Sequence, residues 1–151
     1  MKRVLFLDID GVLNSDKFLQ DVSGFNDLDQ ISPANVACLN FIQDQVPDMC
    51  VVITSTWRVN KSVSDLQDLL TRAGARVSVI DKTADDDNSR EKQISDWVDS
   101  NFDCKFHVVV DDMDLFSSLP VSIRDSIFVR TDVSTGLTMD DAKKVISLFM
   151  K

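Results

Sequence analysis

The sequence contains five short apolar runs, separated by segments with helical periodicity. The runs are rich in Val, Ile and Phe and show little apolar–polar alternation, which is typical of strands buried on both faces of a parallel sheet. In chain order they read RVLFLDID, MCVVITS, ARVSVID, KFHVVVDD and DSIFVRT. The pattern predicts five parallel strands.

Amphipathic helices are predicted between these runs, each introduced by a residue that can accept a hydrogen bond from the first turn. Strands that alternate with helices of this length imply right-handed crossovers and a doubly wound α/β sheet. The predicted helices begin at Ser32, at Ser62, near Ser89 and at Thr138.

A length of 151 residues suits one domain over residues 1–151, with residues 14–31 as a flap near the first strand's carboxyl end. No run approaches the ~20 apolar residues of a membrane span. The net charge of −9 argues against a general nucleic-acid binder. Three cysteines without CxxC spacing indicate reduced thiols, and we expect a cytoplasmic protein without a signal peptide.

Oxygen-bearing side chains follow three of the predicted strands. Because the carboxyl ends of parallel strands meet at one rim, these residues are predicted to converge there. Carboxylate and carbonyl oxygens are the ligands that Mg²⁺ prefers. A Lys or Arg is also required to offset the charge of a phosphoryl group in the transition state. The residues at the three strand ends are Asp8 and Asp10, Thr54 and Ser55, and Asp111 and Asp112.

These motifs resemble those of the haloacid dehalogenase (HAD) superfamily: DIDGVLN its first, VVITST its second and HVVVDD its fourth. Further stretches, TSTWR, SREKQISDW, DDMDLF and TDVSTGLTMDDA, resemble the small HAD-type domains associated with Swiss Army Knife RNA-repair proteins. The resemblance spans nearly the whole chain. It implies a Rossmann-like α/β fold, and the spacing between the first two motifs leaves room for a minimal cap domain or none.

The resemblance also implies an aspartate-nucleophile phosphatase. Asp8 would attack phosphorus and form an aspartyl-phosphate, and Asp10 would protonate the leaving oxygen and then activate water. The Asp8 carboxylate, the Asp10 main-chain carbonyl and Asp112 would hold Mg²⁺. Asp111 would then lie behind Asp112 or replace it as the ligand.

Phosphate-binding residues are less sharply indicated. The hydroxyl of Thr54, with Ser55 beside it, can hold phosphate oxygens at a strand-to-helix turn. For Arg58, the sequence supports two interpretations equally: a solvated charge at a helix start, or a residue that contacts phosphate. Arg90 and Lys92 both qualify as the cation of the third motif, and Lys82 is a more distant candidate. Trp57 and His107 are interpreted as packing residues.

The sequence therefore predicts a Mg²⁺-dependent phosphatase acting on a phosphorylated small molecule or nucleotide. One alternative keeps the chemistry and changes the substrate to the 3′ or 5′ phosphate of a polynucleotide. Another, of a different class, is a phosphate-binding or regulatory protein without catalysis.

Overall fold

A five-stranded, all-parallel sheet forms the centre of the protein in the computed structural model, which describes residues 2–151 apart from the side chain of Lys105. The strand order is β3-β2-β1-β4-β5. The predicted doubly wound α/β fold is thereby confirmed. The strands are β1 (Lys2–Leu7), β2 (Met49–Ile53), β3 (Val79–Lys82), β4 (Cys104–Asp111) and β5 (Phe128–Arg130).

Six α-helices connect or follow the strands, and the four predicted helix starts are confirmed. Ser32, Ser62, Ser89 and Thr138 each accept a hydrogen bond from a main-chain N–H in the first turn of their helix. The helices are α1 (Asp16–Asp21), α2 (Pro33–Gln45), α3 (Val63–Arg72), α4 (Arg90–Asp99), α5 (Val121–Ile127) and α6 (Met139–Phe149), with short 3₁₀ helices at Asp27–Gln30 and Thr56–Arg58.

Both faces of the sheet are covered, because successive side chains of a strand point to opposite sides. Leu5 and Leu7 of β1 pack in a core cluster with buried residues of α2, α3 and α6. Val4 and Phe6 pack on the other face with Ile94 of α4. This two-sided burial explains why the apolar runs show little alternation.

The chain changes direction across the sheet between β1 and β4, and this junction places the site. From β1 the chain moves outward through β2 and β3, then returns through α4 to the opposite side of β1. Leu7 pairs with Ile53 of β2 and with Val110 of β4. The residues that follow these three strand positions therefore lie side by side, where open α/β sheets bind their ligands.

Four features differ from the sequence prediction. The run ARVSVID forms a strand only from Val79 onward, so residues 75–78 precede β3. α1 and α5 were not predicted, since each is a single short segment without a long apolar stripe. The last apolar run forms a strand only at Phe128–Arg130, because its first residues complete α5. The segment 14–31, predicted as a flap, contains α1 and the 3₁₀ helix at Asp27–Gln30.

No helix within residues 2–151 has the length and hydropathy needed to cross a bilayer. The thiols of Cys38, Cys50 and Cys104 are all free, as their spacing predicted.

Candidate active site

Three carboxyl groups meet where β1 and β4 end. Asp8 follows β1, Asp111 is the last residue of β4, and Asp112 comes next. One oxygen from each lies within 4.8 Å of the other two. The backbone fixes this arrangement, because the Asp8 N–H donates to the Val110 carbonyl at 3.2 Å and so continues the β1–β4 pairing. The convergence predicted from the strand ends is thus present for these three residues.

The electrostatics of this cluster strongly favour a proton or a cation. Asp8 is only 4% exposed. Burial, followed by the charge of Asp111 and the hydrogen bond with Asp112, raises the pKa of Asp8 to about 8, although Arg90 opposes the shift. Burial also raises the pKa of Asp112. The three carboxylates therefore cannot all be ionised without an electrostatic cost that a bound cation would offset.

Arg90 is the cation that reaches this cluster. Its Nη1 lies 2.7 Å from Oδ2 of Asp111 and 3.5 Å from Oδ2 of Asp8. Burial disfavours the charge of Arg90, but the two aspartates outweigh it and the pKa of Arg90 is raised. As the first residue of α4, Arg90 lies beside the carboxyl ends of β1 and β4.

Lys92 lies on a different side of the same helix. Two residues correspond to about 200° of rotation around a helix, so Arg90 and Lys92 point to nearly opposite sides. The Lys92 ammonium pairs with Asp96 at 3.0 Å in a half-exposed position. The Lys82 ammonium donates to the carbonyls of Arg58 and Lys61. The structure therefore brings Arg90, and neither lysine, to the carboxylates.

Asp111 and Asp112 have different partners, which bears on which of them would bind a metal directly. The two oxygens of Asp111 accept hydrogen bonds from Arg90 at 2.7 Å and from the Met113 N–H at 2.9 Å. The carboxyl group of Asp112 lies against Gly11, where a Cβ would overlap it. Asp111 is thus engaged on both oxygens, and the contacts favour Asp112 as the direct ligand.

Asp10 lies beside the cluster with its carboxylate exposed. Asn14 Nδ2 donates to its Oδ1 at 3.0 Å, and Trp57 Nε1 donates to its Oδ2 at 3.1 Å. The Asn14 Oδ1 also accepts the Gly11 N–H at 2.9 Å, which closes the loop after β1. Asn14 was not among the predicted site residues, and Trp57 was predicted to be a packing residue. The sequence signal that could have identified Asn14 is a polar amide directly after Val12 and Leu13, four positions after Asp10.

Thr54 and Ser55 follow β2 but serve different purposes. The Thr54 side chain is fully buried, and its hydroxyl oxygen has no hydrogen-bond partner among the described residues. A buried unpaired hydroxyl at a ligand-binding edge is suited to an incoming oxygen. Ser55 caps the 3₁₀ helix at Thr56–Arg58, since its hydroxyl accepts the Trp57 N–H at 3.2 Å.

Arg58 is buried, with 5% of its surface exposed, and its guanidinium donors are occupied within the protein. The guanidinium donates to four main-chain carbonyls and to the Gln93 side chain, at distances between 2.8 and 3.1 Å. These contacts tie the turn after β2 to the loop after β3 and to α4. They support a structural function and give no support to the predicted phosphate contact. The four carbonyls belong to Thr54, Ser55, Thr83 and Ala84.

The donor set of the cluster fits a hard divalent cation. All three converging groups are carboxylates, and neither a histidine nor a cysteine belongs to the group. Oxygen-only sites are typical of Mg²⁺, Ca²⁺ and Mn²⁺, whereas zinc sites usually contain nitrogen or sulfur ligands. The buried carboxylates that repel one another supply an independent reason for a cation at this position.

The parallel α/β sheet has an Asp-x-Asp segment after its central strand, β1, and two aspartates at the end of the neighbouring strand, β4. This combination is typical of a HAD-type domain. Residues 4–142 match the family model described as the HAD domain in Swiss Army Knife RNA repair proteins, and the chain belongs to that family. No curated protein and no solved structure matched the chain.

Proposed function

We propose that this protein is a Mg²⁺-dependent phosphatase that hydrolyses a phosphate monoester through an aspartyl-phosphate on Asp8. The observation that carries the proposal is the position of Asp8: a buried carboxylate at the end of the central strand, with Arg90 and two further aspartates around it. Family membership supports the same reading.

Substrate binding would rest on Arg90 and Thr54. The Arg90 guanidinium carries further N–H donors besides the one on Asp111, and these can bind the anionic oxygens of a phosphoryl group. The unpaired Thr54 hydroxyl can donate to another phosphate oxygen. Both side chains would neutralise or hydrogen-bond charge that shifts during the reaction, as phosphoryl transfer requires.

In the first step, an oxygen of Asp8 attacks phosphorus, and the bond between phosphorus and the leaving oxygen breaks. Asp10 gives its proton to that leaving oxygen, so an alcohol departs and Asp8 carries the phosphoryl group. In the second step, Asp10 removes a proton from a water molecule whose oxygen attacks phosphorus. The bond to Asp8 breaks, inorganic phosphate forms, and both aspartates return to their starting states.

Asp8, Asp112 and the Asp10 main-chain carbonyl would hold the Mg²⁺ ion, with Asp111 orienting Arg90. When bound, the ion reduces the repulsion between a carboxylate nucleophile and an anionic phosphate ester. The carboxylates of this chain that would otherwise retain protons are then ionised, which makes Asp8 available as a nucleophile.

Hydrolysis of 4-nitrophenyl phosphate with and without Mg²⁺ tests the proposal. The wild type should be active only with the metal, and Asp8→Asn should be inactive. Asp21→Asn, an exposed change in α1, is the matched control and should retain activity. Borohydride reduction of acid-quenched enzyme should convert a phosphorylated Asp8 to homoserine, detectable in its peptide by mass spectrometry. Equal activity of wild type and Asp8→Asn would contradict the proposal.

A polynucleotide end is the second candidate substrate, and the description of the family as part of RNA repair proteins favours it. The structure adds that Arg130, at the end of β5, lines a cavity of about 460 Å³ with Asp112. Turnover of 3′- and 5′-phosphorylated oligonucleotides should be compared with that of mononucleotides and sugar phosphates. Phosphate binding without turnover of any substrate would indicate the regulatory alternative.

A further inference from the structure

Asp10 is an exposed carboxylate on a loop, yet both of its oxygens are held. Asn14 donates to Oδ1 in a partly buried contact, whereas Trp57 donates to Oδ2 in an exposed one. An exposed aspartate without such partners would sample several side-chain rotamers. Two donors on opposite oxygens fix both the position and the plane of the carboxylate.

Trp57 is itself firmly placed. It lies in the 3₁₀ helix at Thr56–Arg58, and its main-chain N–H is capped by the Ser55 hydroxyl. The buried guanidinium of Arg58 then binds the carbonyls of Thr54 and Ser55 at 3.0 Å each. The turn that presents the indole is therefore anchored to the protein interior, which is a condition for precise orientation of a reacting group.

The indole ring is linked to the segment predicted as a flap, residues 14–31, through Lys61. The Lys61 ammonium lies 5.8 Å from the centre of the Trp57 ring and 3.1 Å from a carboxylate oxygen of Asp27. Asn14 is the first residue of that segment and is tied to its far end, since its Nδ2 donates to the Gln30 carbonyl at 3.1 Å. Of the two residues that hold Asp10, one therefore belongs to the segment 14–31 and the other is linked to it through Lys61.

We propose that Trp57 is a positioning residue for Asp10: its indole N–H holds the carboxylate where it can exchange a proton with the leaving oxygen. This inference rests on the proposed function, because it assigns Trp57 a part in the proton transfer performed by Asp10. Trp57 itself transfers no proton and forms no bond to the substrate.

The inference predicts an effect that depends on the leaving group. A simple alkoxide departs slowly without a proton, whereas 4-nitrophenolate is stable and departs without one. Trp57→Phe keeps an aromatic ring in place but removes the N–H donor. We expect kcat/KM, which reports the first phosphoryl transfer, to fall about tenfold or more for an alkyl phosphate. For 4-nitrophenyl phosphate the fall should be less than about threefold.

Trp97→Phe is the matched control, because Trp97 also donates its indole N–H to a carboxylate, that of Asp81, at 2.7 Å. This control should leave the ratio of the two kcat/KM values unchanged. In an Asp10→Asn background, Trp57→Phe should have no further effect on either substrate. An equal loss with both substrates, or an undiminished loss in the Asp10→Asn background, would overturn the inference while leaving the phosphatase assignment intact.

The contact can be measured without catalysis. The chain has two tryptophans, so the indole N–H resonance of Trp57 is identified by its absence from the spectrum of Trp57→Phe. Asp10→Asn should shift this resonance, and Asp21→Asn should not. An unshifted resonance would overturn the inference. If the wild type hydrolyses no substrate, the proposed function fails, and a shifted resonance then identifies a purely structural contact.

Discussion

Replacing Asp8 with asparagine should stabilise the metal-free protein at alkaline pH while removing the proposed nucleophile. The reason is the pKa of Asp8, which burial and the neighbouring aspartates raise from 3.8 to about 8. Between these two values the folded state binds a proton that the unfolded state has lost. The free energy of unfolding must therefore decrease as pH rises across that interval. Below about pH 4 both states are protonated and the contribution of Asp8 is fully present.

The size of the effect follows from the same shift. One proton difference corresponds to a slope of at most about 1.4 kcal/mol per pH unit. Over the interval from pH 5.5 to 8.5 we expect Asp8 to lower the free energy of unfolding of the metal-free wild type by about 2–4 kcal/mol. Burial lowers the pKa of His107, which opposes part of this loss below about pH 6.5 in both the wild type and the variant. Asp8→Asn removes the titrating group and the charge repulsion, so its slope should be much smaller. Asp21→Asn, whose side chain is exposed, should follow the wild type.

Urea unfolding in EDTA, followed by circular dichroism at several pH values, measures these slopes by linear extrapolation. Mg²⁺ at 100 times its dissociation constant should raise the free energy of unfolding of the wild type by about 2.7 kcal/mol. The same concentration of Mg²⁺ should raise the free energy of unfolding of Asp8→Asn by less. A metal-free wild type with equal stability at pH 5.5 and 8.5 would refute the electrostatic reasoning, as would a variant that keeps the wild-type slope.

Three further substitutions, two of them with a control substitution, test the remaining site assignments. Arg58→Met should lower the free energy of unfolding by about 3 kcal/mol or more, because it leaves main-chain carbonyls unpaired, and urea unfolding measures this. Gly11→Ala, with φ at +79°, should cost about 1–3 kcal/mol and weaken Mg²⁺ binding in calorimetry. Gly74→Ala is its control, since φ is +92° but nothing lies within 4 Å of the added Cβ. Arg90→Gln should reduce kcat/KM about 100-fold, whereas Lys92→Gln should change it less than about twofold. A larger loss of kcat/KM in Lys92→Gln than in Arg90→Gln would assign the phosphate-binding role to Lys92 instead of Arg90.

The fold was readable from the sequence because its strongest signals are local. Buried strands are short continuous apolar runs, and the Ser and Thr caps mark the four longer helices. α5 was not predicted because its seven residues, VSIRDSI, lead directly into β5 without a separating turn. The strand and helix signals overlap there, and periodicity cannot divide so short a run.

The candidate site was predictable as a set of strand ends but not as a set of contacts. Asp8 and Asp111 lie close together because the ends of adjacent parallel strands are aligned by backbone pairing, independently of side-chain contacts. The choice between Arg90 and Lys92 depends on the exact residue at which α4 begins, and a helix start is the least certain feature of a sequence pattern. Arg58 and Trp57 form hydrogen bonds between separate loops, and no spacing rule encodes such contacts.

The charge balance of the cluster explains why a divalent cation suits this site better than a second basic residue. When ionised, the three converging carboxylates and the guanidinium of Arg90 leave two net negative charges. Arg58 and Lys82 are nearby cations, but their donors are bound to main-chain carbonyls and hold loops together. A divalent ion would neutralise the cluster and still leave ligand positions for a phosphate oxygen. Binding of the ion would thus both stabilise the fold and ionise Asp8, and would link the stability of the protein to the proposed role of Asp8 as a nucleophile.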